Sequence, residues 1–271
     1  MTEGAVAGTD ETAADDDALL VLTAVLLTPA QFPGVLGDDY VAACAALGLA
    51  PYVEGYGLVL GQDSGGARWT VVVEDVSLVA VAIAAWDCGM DHDLSPDDRS
   101  VVRALPGWPL ALSVAAPGVP EPHDPDGEES APLTPPDTEV WGAPQRRLGA
   151  DEIALQWAAW RARIDAVRAG DDRSTAERAG SGQHPGVRKA LEAARAYVDS
   201  PPPPGRVRSA YAPDGARILR ADGPGWSLVA RTDDIAFVLL DEEPAEVIPV
   251  GRGPELPGLL ASLDALAARP S

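Results

Sequence analysis

Trp69-Thr-Val-Val-Val-Glu-Asp-Val-Ser-Leu-Val-Ala-Val-Ala-Ile83 and, 157 positions later, Trp226-Ser-Leu-Val-Ala-Arg-Thr-Asp-Asp-Ile-Ala-Phe-Val-Leu-Leu240 read alike. Each has a Trp, a short β-rich run, a polar break and a second apolar run, which is the pattern of a hairpin. Each is preceded by a further apolar run and a turn, Leu58-Val-Leu-Gly-Gln-Asp-Ser-Gly-Gly66 in one case and Ile218-Leu-Arg-Ala-Asp-Gly-Pro-Gly225 in the other. With helical patterns on either side, the unit reads as helix, antiparallel meander, helix, and the chain carries it twice. The fold class expected is therefore α+β, two pseudo-repeated units joined by a Pro/acid-rich linker and a helical middle. The Trp registers predict that the two meanders superpose.

Outward from these stretches, residues 1–17 hold six acids, no base and little apolar content, and are expected to form a disordered acidic tail. The first α+β unit is placed at 18–105. It opens on Leu19-Leu-Val-Leu-Thr-Ala-Val-Leu-Leu27, whose periodicity alone does not decide between strand and helix. This run and Val76 to Trp86 are each about half the ~20 residues a membrane-spanning helix needs, and both read better as buried strands. Asp38 to Leu47, stopped by Gly48, suits a helix with acids near its positive end. Ser95-Pro-Asp-Asp98 resembles a helix opening, with Val101, Val102 and Leu105 on its apolar side. Prolines and acids dominate 106–148, read as a linker or long surface loop. In 149–271, Ile153, Trp157, Trp160, Ile164 and Val167 form one continuous helical stripe, with Arg161, Arg163 and Arg168 on the solvated face. Gly170 to Gly186 is a loose segment, and Val187, Leu191, Ala194 and Val198 mark a helix that halts at the prolines from Pro201. After the second meander and a short strand at Val247 to Val250, Leu256, Leu259, Leu260, Leu263 and Leu266 mark a closing helix.

The 271 residues carry a net charge of −22, unevenly spread: residues 1–139 hold 24 acids against Arg68, Arg99 and Arg103, and residues 140–271 hold 18 acids against 17 bases. Such a field repels phosphate, so neither nucleic acid nor an anionic membrane is expected as a partner, and a basic or neutral protein is. Only Lys189 among the 20 bases is a lysine, a bias that high-G+C genomes impose. Cys44 and Cys88 are the only cysteines and no secretory leader pattern is evident, which favours the cytoplasm and reduced thiols.

Three constellations have chemistry to offer. Asp63-Ser64-Gly65-Gly66 matches part of the nucleophile box of chymotrypsin-like proteases. His92, His123 and His184 all follow it, however, where the family's base histidine precedes the serine, and the residues suit a hairpin turn. Asp87-Cys-Gly-Met-Asp-His-Asp93 gathers a thiol, an imidazole and carboxylates, and with Asp97 and Asp98 it supports the alternative function of a hydrolase or metal-dependent enzyme. It lacks a second Cys or His at ligand spacing, and a solvated loop is the simpler reading. His123 and His184 have no partner identifiable from sequence. Trp157 and Trp160, three apart on one helix, could anchor a partner as interface hot spots do, although such a stripe is more often core. No cofactor and no metal is expected, and the oligomeric state is not set by the sequence.

Phe32-Pro-Gly-Val-Leu36, Ala67 to Ile83 followed by Ser95 to Pro106, and Gly215-Ala-Arg-Ile-Leu219 with Gly225-Trp226 together resemble the EspG-like chaperones associated with type VII secretion in actinobacteria. Those proteins are similar in length and built from two related halves of antiparallel sheet and helices. The resemblance implies a non-enzymatic cytoplasmic chaperone or adaptor that binds a secreted helical-hairpin substrate. The Pro/acid linker and the Val247 strand depart from that family's pattern.

Overall fold

In a computed structural model the described residues are 18–127, 130–170, 184–212 and 214–268. The expected tail at 1–17 and most of the loose segment at 170–186 lie outside them. The fold is α+β, with a four-stranded sheet ordered β1-β2-β3-β4 and a five-stranded sheet ordered β5-β6-β7-β8-β9. The chain divides into two compact units, residues 1–25 with 57–134, and residues 26–56 with 135–271. Among the described residues, no helix is long and apolar enough to cross a membrane.

The first sheet runs β1 (Leu20–Leu27), β2 (Tyr56–Gln62), β3 (Arg68–Val73) and β4 (Val101–Pro106). Strands β2 and β3 form the expected hairpin. Its turn is built by Asp63, whose Oδ1 accepts from the N–H groups of Gly65 and Ala67 while Oδ2 accepts from Trp69 Nε1. The protease-like residues are thus an Asx-type turn.

Beyond Val73 the expected hairpin is overturned. Val76 to Trp86 is not a strand: it lies in helix α2 (Val76–Asp87). Asp75, directly before the run, caps it by accepting from Leu78 N–H, and four alanines in the run favour helix. The helix buries Val79, Ala82 and Ala85. Conversely, the helix expected at Ser95 is absent. The Ser95 hydroxyl donates to Asp93 Oδ1 instead of capping a helix, Asp97 accepts from Arg99 N–H, and Val101 onward pairs with β3 as strand β4. The meander order survives in both sheets, with α2 inserted between the third and fourth strands of the first, so the two long stretches do not superpose beyond their Trp-bearing strands. In both hairpins the Trp faces a glycine across the ladder, Gly61 opposite Trp69 and Gly223 opposite Trp226.

Gly57 on β2 marks where α2 comes closest, since a Cβ there would lie 2.4 Å from Val79 Cγ2 and 2.9 Å from Val73 Cγ2. Gly57→Ala is expected to lower stability by about 1–3 kcal/mol, the usual cost of overpacking. Thermal unfolding of the two proteins checks this, and an unchanged midpoint would mean that α2 is not seated on β2.

The Pro/acid region from 107 to 134 packs within the first unit. Trp108 is buried and donates Nε1 to the Gly61 carbonyl, Gln62 bonds Ala116 N–H and the Pro120 carbonyl, and Arg68 pairs with Asp124 at 2.5 Å. Short bridges join Ala67 to His123 and Gly107 to Leu133.

In the second unit, β5 (Val207–Tyr211), β6 (Arg217–Gly223), β7 (Trp226–Arg231), β8 (Ala236–Leu240) and β9 (Glu243–Val250) form an antiparallel meander. Alternation sends Leu219, Ala221, Leu228, Ala230, Val238 and Leu240 into one core, with helices α5 (Pro185–Asp199) and α6 (Leu256–Ala267). Val229, Phe237 and Leu239 enter a second core with α3 (Ala143–Leu155) and α4 (Trp157–Gly170). The sheet is therefore covered on both faces, which explains why β7 and β8 read as nearly unbroken apolar runs. Helix α1 (Tyr40–Ala46), capped by Asp39, and a 3₁₀ turn at Gly34–Leu36 belong to this unit.

Candidate functional sites

The long Trp stripe is two helices. Helix α3 begins at Ala143, eight residues before Asp151, where the helical pattern is read to resume, and the chain breaks at Gln156 before α4. Trp157 is 7% exposed, packs edge-on to Phe237 at 5.2 Å and donates Nε1 to Asp234 Oδ2. Trp160 is half-buried over the same Phe237 ring, with the Arg163 guanidinium 4.5 Å from its centroid. Arg161 pairs with Asp165 and Asp234 instead of facing water alone. Trp157 is a core residue, and only the rim of Trp160 remains accessible.

Asp87 ends α2, and from Cys88 to Asp98 the chain is a loop, exposed for most of its length, in which Asp93 and Asp97 hold turns. Asp93 accepts from both the N–H and the hydroxyl of Ser95, bonds that hold its carboxyl below the usual range. Among the described residues, no group of three or more His, Cys, Asp or Glu side chains converges as a metal site would require. Cys44 is buried and Cys88 exposed, both as free thiols. His123 carries the bridge to Ala67 through its backbone. His184 does have partners: Nδ1 accepts from Val187 N–H to cap α5, and Nε2 lies 3.0 Å from Glu243.

A charged cluster not read from the sequence lies between β6 and α3. Arg146 and Arg147 are fully buried, as is Asp222, and Arg220 nearly so. Asp222 is 3.0 Å from Arg147 and 3.3 Å from Arg208, and accepts from the Ser227 hydroxyl at 2.6 Å. Arg146 pairs with Asp38 at 2.5 Å and lies as close to Asp241, at an angle outside a hydrogen bond. Arg206 pairs with Asp39, and Arg220 with Asp151. Phe32, from the stretch that carried the family resemblance, is the aromatic platform here, with the Arg147 and Arg208 guanidiniums 4.4 and 5.2 Å from its centroid. Burial pushes Arg147 down to about 9, against the pull of Asp222, so it stays charged at neutral pH. Burial opposes ionisation of Asp222, but Arg147, Arg220 and Arg208 outweigh it and hold the carboxyl low. These five arginines meet five aspartates, so the cluster is internally neutralised and serves as a clamp holding Phe32, Asp38 and Asp39 to the sheet.

The open features are the sheet edges. Among the described residues strand β1 has a neighbour on one side only, and its eight residues are apolar except for Thr23. It was expected to be buried, yet only Ala24 and Leu27 are. A cavity of about 400 Å³ lies beside its start, lined by Leu19 to Leu22, Trp86 and the loop from His92 to Ser95. In the second sheet the edges are β5 and β9, and β9 carries Pro244 and Pro249 with Glu243 and Glu246, devices that discourage pairing.

Comparison of the chain with protein-family models, with curated proteins and with solved structures found no match.

Proposed function

We propose that the chain is a non-enzymatic protein-binding protein, an adaptor or chaperone, that receives its partner on the exposed edge of β1. The observation that supports this reading most is the mismatch between the composition and the placement of that strand. A continuous apolar strand is what a sheet interior requires, and β1 instead stands at an edge, with Leu20 39% exposed and five of the other residues half-buried. Natural edges are blunted with charge, proline or bulges, and β1 has neither a charge nor a proline. A partner strand beside it would make it an interior strand, with main-chain bonds giving affinity and apolar side chains giving selectivity. A cytoplasmic setting, and a secretion substrate as the particular partner, belong to this proposal through the resemblance to EspG-like chaperones. The edge favours an extended segment over the helical hairpin which that resemblance implies.

The test compares wild-type protein with Leu20→Lys in pull-downs from the native organism. Because Leu20 is exposed, the fold should be unchanged by circular dichroism and thermal melting, and the captured partner should be lost. Equal capture by a folded Leu20→Lys protein would remove β1 from the interface.

A further inference from the structure

Strand β5 shows which of its backbone groups are free. Asp222 donates its N–H to the Arg206 carbonyl, and Ala212 donates to the Ala216 carbonyl. In the β5–β6 register, Val207 lies opposite Ala221 and Tyr211 opposite Arg217, so both bonds fall on hydrogen-bonded pairs of one antiparallel ladder. Residues 206, 208, 210 and 212 therefore face β6. The N–H and C=O groups of Val207, Ser209 and Tyr211 face the other way, where no strand lies among the described residues. Three outward donor–acceptor pairs at two-residue spacing are complementary to one kind of occupant, an extended backbone. Unlike β9, β5 contains no proline.

Beside this edge opens a cleft of about 470 Å³, walled by Pro29, the four prolines at 201–204 and Leu266, and among the described residues Arg208 is its only charged lining residue. Arg208 is already engaged with Asp222. The cleft accordingly suits an apolar side chain and offers nothing to neutralise an acidic one. A second copy of this chain would double the net charge of −22, carried mostly by residues 1–139, and that long-range repulsion disfavours self-pairing.

We propose that β5 is a second docking edge, one that takes an extended peptide segment in strand form with an apolar side chain seated in the proline-walled cleft. This inference shares the protein-binding reading above but stands on a different strand in the other unit, so the failure of one leaves the other intact.

The test uses full-length protein and amide hydrogen exchange read residue by residue. In the free protein, the Arg208 and Ala210 amides should be protected and those of Val207, Ser209 and Tyr211 should exchange quickly. The probes are the acetylated, amidated peptide Thr-Leu-Thr-Leu-Thr-Leu-Thr and its counterpart with Asp in place of each Leu. The Leu peptide should slow exchange at the three outward amides, and the Asp peptide should not. Tyr211→Pro, which removes one outward N–H at an exposed position, should weaken binding about tenfold, the worth of one backbone hydrogen bond. If both peptides protect those amides equally, strand addition holds and the apolar preference is overturned. If neither does, or Tyr211→Pro binds as well as wild type, the docking edge itself is overturned. Protection that grows with protein concentration in the absence of peptide would assign the edge to a second copy and overturn the peptide as its occupant.

Discussion

Asp222→Ala is expected to destabilise the protein by about 3–5 kcal/mol, the cost of removing one partner from a buried ion cluster. The reason is asymmetry: Asp222 is the buried anion facing Arg147, Arg208 and Arg220, and its removal leaves three cations whose own desolvation is no longer compensated. Replacing the whole constellation with apolar groups would be far milder than removing one partner. Urea unfolding at neutral pH measures the effect, and a loss under 1 kcal/mol would show that the carboxylate does not hold the cluster together. The same residue sets an acid limit. Its folded pKa lies below its ordinary value, so its contribution is fully present above about pH 4, the unfolded value, and is lost as the pH falls from there through the folded value. Asp222→Asn should accordingly show a shallower decline in stability below about pH 4 than wild type does.

Trp157→Ala should cost about 3–5 kcal/mol, as truncation of a buried aromatic side chain does, because the ring fills the space beside Phe237 and its Nε1–H is matched to Asp234. Trp160→Ala should cost less, its ring being half-buried beneath Arg163. The order of the two losses discriminates between core and interface. Should Trp157→Ala retain wild-type stability yet lose a captured partner, Trp157 would be an interface anchor and its packing against Phe237 incidental.

The α+β class and the Trp-bearing hairpins were legible because β2–β3 and β6–β7 are closed by short turns whose residues announce themselves, Asp63 to Gly66 in one and Pro224-Gly225 in the other. Val76 to Trp86 was misread because a run apolar on nearly every side has no periodicity to read; the informative signal was Asp75, a cap standing immediately before alanine-rich sequence. Ser95 misled in the opposite direction, since a cap-forming hydroxyl can equally serve a neighbouring aspartate. The charged cluster was hidden by distance: Asp222 looked like part of the Pro224 turn, and its arginines come from three separate segments, α3, the start of β5 and β6. One local clue existed. Arg146 and Arg147 stand near the N-terminal end of α3, where the helix dipole disfavours cations, and a sequence that tolerates two there has another use for them.

The helix inserted between β3 and β4 also bears on how the chain assembles. Closing β3 onto β4 brings together strands separated by the 27 residues from 74 to 100, whereas β7 reaches β8 across the four residues from 232 to 235. The logarithmic dependence of closure entropy on loop length makes the first event dearer by roughly 1.5–2 kcal/mol before any ladder bond forms. The five-stranded sheet, all hairpins, should form early, and the four-stranded sheet should wait for α2 to fold back. In stopped-flow refolding, changes at Trp226 would then precede completion of those at Trp69, whose neighbour on β4 is Pro106, and in that interval the sheet that holds β1 lacks its last strand.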